Sequence, residues 1–115
     1  MSEDLSSYLN YAEDELAAGR ELVRLGFHRG AVSNAYYSMF WAVRGLLAER
    51  EVFAKTHHGV HSKFGRLFIK TEEVPVAYSD LLKKLSSERQ VADYELTGDF
   101  SEEEVAGYLL EVEEF

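Results

Sequence analysis

The chain has 115 residues, 46% of them hydrophobic and 13% aromatic, enough apolar side chain for one domain, 1–115, with its own core. It has no cysteine, which excludes a disulfide framework and a thiolate metal site, and no apolar run long enough to cross a bilayer. The net charge of −9 argues against a nonspecific grip on nucleic acid by the whole surface, and the acidic opening MSEDLSSYLNYAEDE does not read as a secretory signal, so a cytoplasmic protein without membrane association is expected.

One proline, and eight glycines that fall mostly between apolar-periodic stretches, predict helices joined by short turns, and no β alternation competes. The first helix is expected over Glu3 to Leu25, with Ser2 as N-cap and Leu5, Leu9, Ala12, Leu16 and Val23 inward. LGFHRG then turns the chain. The second helix, about Arg29 to Glu51, carries Val32, Ala35, Tyr36, Met39, Phe40, Val43, Leu46 and Leu47 as a broad apolar stripe. Its other side holds Ser33, Tyr37, Trp41 and Arg44, which marks either a helix packed on two sides or a dimer contact through Tyr37, Trp41 and Arg44.

A third helix is expected from a Thr56 cap, with Val60, Phe64, Leu67 and Phe68 inward and Lys55, Lys63, Arg66 and Lys70 gathered opposite. Such a stripe is either a solvated face or a row of phosphate contacts. The second reading gains from charge segregation: residues 54–70 hold four Lys or Arg, three of the four histidines and no acid, whereas residues 101–115 hold six glutamates and no base. Pro75 suits the first turn of a fourth helix with the stripe Tyr78, Leu81, Leu82, Leu85, Arg89, Ala92. After LTGDF, a fifth helix opens on Phe100, Ser101 as cap, Glu104 for a capping box and Val105 for a hydrophobic staple, and buries Val105, Tyr108, Leu109 and Val112. The whole reads as all-α, an up-and-down bundle of four to five antiparallel helices.

Two features break the apolar pattern. Arg89 lies on the stripe of the fourth helix, four residues before Asp93, so both should face the bundle or its groove, with Asp93 as the clamp on the guanidinium. A structural ion pair explains this. A functional pair is the alternative, because apolar substitutes at such sites are often neutral or stabilising. His57 and His61 share the spacing i, i+4 on the inner side of the third helix, but the HxxxH has no following glutamate and no evident third ligand, so no metal is expected. Satisfied core or interface histidines, or an imidazole working as acid or base near Arg89, remain. GVHSKFG does not make a P-loop, and no nucleophile motif is present.

SNAYYSMFWAVRGLL, KTHHGVHSKF and SSERQVADYE, in this order and at this spacing, resemble the HEPN superfamily (higher eukaryotes and prokaryotes nucleotide-binding domain), in particular its small stand-alone prokaryotic branch. The resemblance covers about residues 5 to 112. It implies an all-α bundle, commonly a homodimer, often paired with a minimal nucleotidyltransferase as toxin and antitoxin. Active members of that family are metal-independent ribonucleases with an R-x4-6-H motif facing its copy across the dimer groove. Carried over, Arg89 matches the motif arginine, but the histidine positions hold Tyr94, Glu95 and Leu96, and Leu96 also stands where some members carry a modified tyrosine. The base would then be His57 from the third helix, or Asp93 or Tyr94.

Together these readings lead us to expect a homodimer without cofactor, binding RNA or a nucleotide through Arg89, Tyr37, Lys55, Lys63, Arg66 and Lys70, with Arg89, His57, Asp93 and Tyr94 as candidates for chemistry. The alternative is a noncatalytic module that docks a minimal nucleotidyltransferase, in which Arg89 and Asp93 only hold the fold.

Overall fold

Apolar residues at helical spacing set out five α-helices in the computed structural model, whose described residues are 5–94 and 100–115. They are α1 (Leu5–Leu25), α2 (His28–Glu49), α3 (His57–Phe64), α4 (Val76–Tyr94) and α5 (Glu102–Glu114), and a π-helical turn, Gly65–Ile69, continues α3. No strand occurs among the described residues, and the protein is an all-α bundle. Ser2 and Glu3, expected to open α1, lie outside the described residues, as do Glu95 and Leu96 and the side chain of Tyr94. No helix among the described residues is long and apolar enough to cross a membrane.

α1 and α2 form an antiparallel hairpin whose turn is a Schellman motif. Gly26 adopts the left-handed region at φ 87, and the amides of Gly26 and Phe27 return to the carbonyls of Val23 and Leu22. The same device ends α2, with Glu51 at φ 59 in place of glycine and the amides of Glu51 and Val52 returning to Ala48 and Leu47. α2 therefore stops at Glu49, two residues short of the expected end. Thr56 caps α3, its hydroxyl accepting the Gly59 amide at 2.9 Å. Pro75 stands just before α4 rather than in its first turn, its carbonyl accepting the Tyr78 amide at 3.1 Å. Ser101 caps α5 by accepting the Glu104 amide, while Phe100 and Val105 on either side of the cap are both buried.

The core is the α2 stripe, with Val32, Ala35, Tyr36, Met39, Phe40, Val43 and Leu47 all buried against side chains of the other helices. α3, α4 and α5 bring the expected Val60, Phe64, Phe68, Leu81, Leu82, Leu85, Ala92, Val105, Tyr108, Leu109 and Val112. α1 departs from expectation: Tyr8 is 2% exposed while Leu9 is 41% exposed. The inner face of α1 runs through Tyr8, Ala12, Leu16 and Gly19 because two glycines let the backbones approach. A Cβ on Gly45 would meet Cβ of Tyr8 at 2.9 Å, and one on Gly19 would meet Leu109 at 2.9 Å and Asn34 at 3.1 Å. Ser38, buried in this seam, donates to the Ala12 carbonyl at 2.7 Å. His28 Nδ1 donates to the Phe100 carbonyl at 3.1 Å and so ties the start of α2 to the entry of α5.

Gly45→Val is expected to destabilise the fold by about 1–3 kcal/mol through overpacking against Tyr8. Gly107→Ala, in the open interior of α5 where an added Cβ meets nothing within 4 Å, should stabilise it by roughly 1 kcal/mol. Urea unfolding followed by circular dichroism measures both, and equal midpoints for the two variants would contradict the close-approach account.

Candidate functional site

Three helices each present a pair of polar side chains one turn apart around the buried ring of Tyr36. α2 contributes Ser33 and Tyr37, α3 contributes His57 and His61, and α4 contributes Arg89 and Asp93. Tyr36 itself is fully buried, and its hydroxyl meets His57 Nδ1 at 2.7 Å and His61 Nε2 at 3.1 Å. Burial pushes the Tyr36 phenol up to about 12, partly opposed by a hydrogen bond from Ser86 and by the Arg89 charge, so it stays protonated at neutral pH.

A neutral phenol has one proton to donate, so the two imidazoles cannot both receive it. Either His57 Nδ1–H donates to Tyr36 while Tyr36 donates to His61, or His61 Nε2–H donates to Tyr36 while Tyr36 donates to His57. In the first arrangement the outer nitrogen of His57, Nε2, is an unprotonated base; in the second it carries a proton. The phenol thus couples the tautomers of two histidines. Both imidazoles are biased to the neutral form. Burial, then the Arg89 and Arg44 charges, hold His57 below the usual histidine value, and burial, then His57, His58 and Lys83, lower His61 to about 4. His57 lies flat on Phe40, with ring centroids 4.3 Å apart and planes 17° apart, which fixes the plane in which Nε2 points.

Arg89 is brought to the same place, with only 14% of its side chain exposed. Its guanidinium carbon lies 5.1 Å from the centre of the Tyr36 ring and 5.5 Å from that of Tyr37. Asp93 is a looser clamp than the spacing suggests. Arg89 Nη1 reaches Asp93 Oδ2 at 3.5 Å and the Tyr37 hydroxyl at 3.4 Å, and the other oxygen of Asp93 accepts the Ser33 hydroxyl at 2.7 Å. The Nε of Arg89 is buried and has no hydrogen-bond partner among the described residues. That nitrogen is closed to solvent, so the capacity to hold an oxyanion next to a base lies with the Nη groups, whose contacts to Tyr37 and Asp93 are long.

Beyond Tyr37 and His57 opens a cleft of about 530 Å³ lined by Phe40, Trp41, Arg44, Phe53, Lys55 and Thr56 among others, without a carboxylate among the described residues. Trp41 packs within the chain on Tyr8 and Tyr11 of α1, under the Arg44 guanidinium at 5.1 Å. That satisfies the two-sided character of α2 internally, while leaving Trp41 half-exposed at the cleft. The basic stripe expected on the third helix is divided. Lys55 lines this cleft, Arg66 and Lys70 line a separate groove on the far side of His61, and Lys63 lines neither. His57 and His61 share Tyr36, but no group of three His, Asp or Glu side chains able to hold a metal forms among the described residues. Tyr36 is invisible to sequence reasoning as a polar centre, being one more ring of the apolar stripe, and Phe53 gives no signal outside a helix.

A HEPN domain model matches residues 5–115. A protein of Methanocaldococcus jannaschii named "putative toxin" is 39% identical over 107 residues, covering 93% of this chain and 72% of that protein. A second protein of the same organism and the same designation is 31% identical over 113 residues, covering 98% of this chain and 84% of its own. The helical architecture and a match over nearly the whole length agree, and the chain belongs to the HEPN domain family.

Proposed function

We propose that the chain binds single-stranded RNA in the cleft beside Arg89 and cleaves it without a metal, acting in the cytoplasm as a homodimer in which two such clefts form one groove. The observation that carries this reading is the guanidinium of Arg89, held only by long Nη1 contacts to Tyr37 and Asp93, beside a neutral His57 whose outer nitrogen bears no bond among the described residues. A purely structural arginine would be expected to have its donors filled, which supports this reading over a noncatalytic module that only docks a nucleotidyltransferase. The cleft offers rings for base stacking in Tyr37, Trp41 and Phe53 and cations for phosphate in Arg44 and Lys55. The toxin designation of two relatives suits an RNA-cleaving activity.

In the step proposed, His57 Nε2 takes the proton of a ribose 2′-hydroxyl, whose oxygen attacks the adjacent phosphorus. The P–O5′ bond breaks, a 2′,3′-cyclic phosphate forms, and water protonates the departing 5′-oxygen. Arg89 neutralises the phosphorane oxygens. His57 then gives the proton gained at Nε2 to the hydroxide that this water leaves and returns to its neutral form, while Tyr36 and His61 hold its tautomer. Asp93 and Ser33 keep the α4 side of Arg89 in register, and the Tyr37 hydroxyl sets its inner side. The dimer contact is assigned to the exposed ring of Tyr11, at the α1 edge of the Trp41 cluster, which leaves Tyr37, Trp41 and Arg44 open to the cleft.

Arg89→Ala should abolish both oligonucleotide binding and cleavage. His57→Ala should keep binding and lower cleavage by about 10²–10⁴-fold. Fluorescence anisotropy and gel analysis of a labelled RNA read the two effects, and a wild type that neither binds nor cuts, or an Arg89→Ala protein equal to it, sinks the proposal. Sedimentation should give a dimer that Tyr11→Glu converts to a monomer of unchanged helicity.

Protonation gives an independent check. Cleavage should rise with pH through a value below 6.5, as His57 loses its proton. His61, lowered to about 4 in the fold, contributes stability that is complete above its ordinary value of 6.5 and is lost as pH falls from 6.5 towards 4. The melting temperature of the wild type should therefore fall more over that window than that of His61→Gln. Parallel curves would contradict the coupling.

A further inference from the structure

Behind the histidine pair, on the side away from the aromatic cleft, α3, the π-helical turn and α4 enclose a second groove of about 640 Å³. Among the described residues its lining is His58, His61, Ser62, Gly65, Arg66, Lys70, Ser79 and Lys83, with no carboxylate. The surrounding chemistry makes this composition unexpected. The chain has 21 Asp and Glu against 12 Lys and Arg, so a cation has carboxylates in excess to pair with. Arg20, Arg24 and Arg50 do so, with Glu113, Glu21 and Glu73. Arg66, Lys70 and Lys83 are in no ion pair among the described residues, and they converge on one groove.

The backbone adds a second observation. α3 does not simply continue. The Lys70 amide bonds the Gly65 carbonyl at 2.9 Å, five residues back, so the helix widens at this wall, and such turns occur disproportionately at functional sites. The first residue of the wide turn is Gly65, whose φ of −58 any residue tolerates and where an added Cβ would meet nothing within 4 Å. Neither conformation nor packing requires glycine there. Its effect is to keep the groove wall bare.

We propose that this groove is a track for the sugar–phosphate backbone of single-stranded RNA, extending the path beyond the cleft, with Arg66, Lys70 and Lys83 contacting phosphates and Ser62 and Ser79 offering hydroxyls. This rests on the RNA reading above. His61 belongs to the groove and His57 to the cleft, and they stand four residues apart, about 6 Å along the helix axis, so a strand crossing α3 at this point passes directly over the acid–base pair. An RNA strand fits better than a flat anionic surface because the cations line a concavity. It fits better than an acidic helix because a flexible single strand can cross α3 from these cations to the rings of the separate cleft.

Two variants test the track: the triple substitution Arg66→Gln, Lys70→Gln, Lys83→Gln, and Gly65→Glu, which sets a carboxylate in the groove without a steric clash. The probes are a fluorescein-labelled single-stranded RNA long enough to span both surfaces and a dinucleotide that fills only the cleft. For the long RNA, the triple variant should bind roughly one to two orders of magnitude more weakly at low salt, and its log–log salt slope should shrink by about 2, near 0.7 for each lost phosphate contact. Gly65→Glu should weaken the same binding, and the dinucleotide should bind both variants as it binds the wild type. If the wild type binds the long RNA and both variants match its affinity and slope, the track is wrong while the cleft reading stands. If the wild type binds neither probe, the cleft reading itself has failed. Unchanged RNA binding together with lost binding to phosphatidylserine vesicles, or with lost self-association in sedimentation, overturns the track in favour of a membrane or a second copy.

Discussion

A phenol that is fully buried must have its hydroxyl satisfied, and the architecture around Tyr36 answers that requirement. The ring is held in the α2 stripe by packing, so its oxygen emerges at a fixed point. α3 reaches that point with two imidazoles instead of one, and α4 lays a guanidinium across the ring face. Each helix is thereby fixed relative to the others by a polar contact of low tolerance, which apolar packing alone would leave free to slide. Burial at that point and the neighbouring cations bias both histidines to the neutral form. Structure and chemistry here draw on one hydroxyl group.

The hairpin of α1 and α2 supports this from behind. Gly19 and Gly45 let α1 sit close enough for Tyr8 and Tyr11 to cover Trp41, and Trp41 with Arg44 then shapes one wall of the cleft. Two glycines, one on α1 and one near the end of α2, thus bear on the shape of a cleft whose histidine they do not touch. The acidic residues are kept apart: α5 carries Glu102, Glu103 and Glu104 in its first turn, where they suit the helix dipole, and lines neither basic surface.

Most of the fold is legible in the sequence because its signals are local. The Ser101 and Thr56 caps, the α2 stripe and the α4 leucines depend on spacing within one helix, and each stands where the pattern puts it. The departures come from tertiary effects. Leu9 yields to Tyr8 because glycines on two other turns allow close approach, and α2 ends early because Glu51 accepts a left-handed conformation that its type does not advertise. Arg89 and His57 can be singled out since a charge or an imidazole on an apolar face is anomalous. Tyr36 cannot, since a tyrosine among phenylalanines fits the pattern. Lys83 and Ser79 are equally silent, as ordinary outer residues of α4 until α3 is placed across from them.

The helical wheel sets Lys55, Lys63, Arg66 and Lys70 on one face, assuming a uniform 3.6-residue pitch. The wide turn at Gly65–Ile69 takes up an additional residue and so offsets the residues beyond it by roughly 100°. Lys55 stands ahead of the Thr56 cap, outside the helix altogether, and Lys70 stands beyond the wide turn, so the two basic surfaces part at opposite ends of this segment. Loss of one codon within the turn would restore regular pitch and rotate Lys70 away from the groove, while His58, His61 and Ser62 ahead of Gly65 kept their orientation.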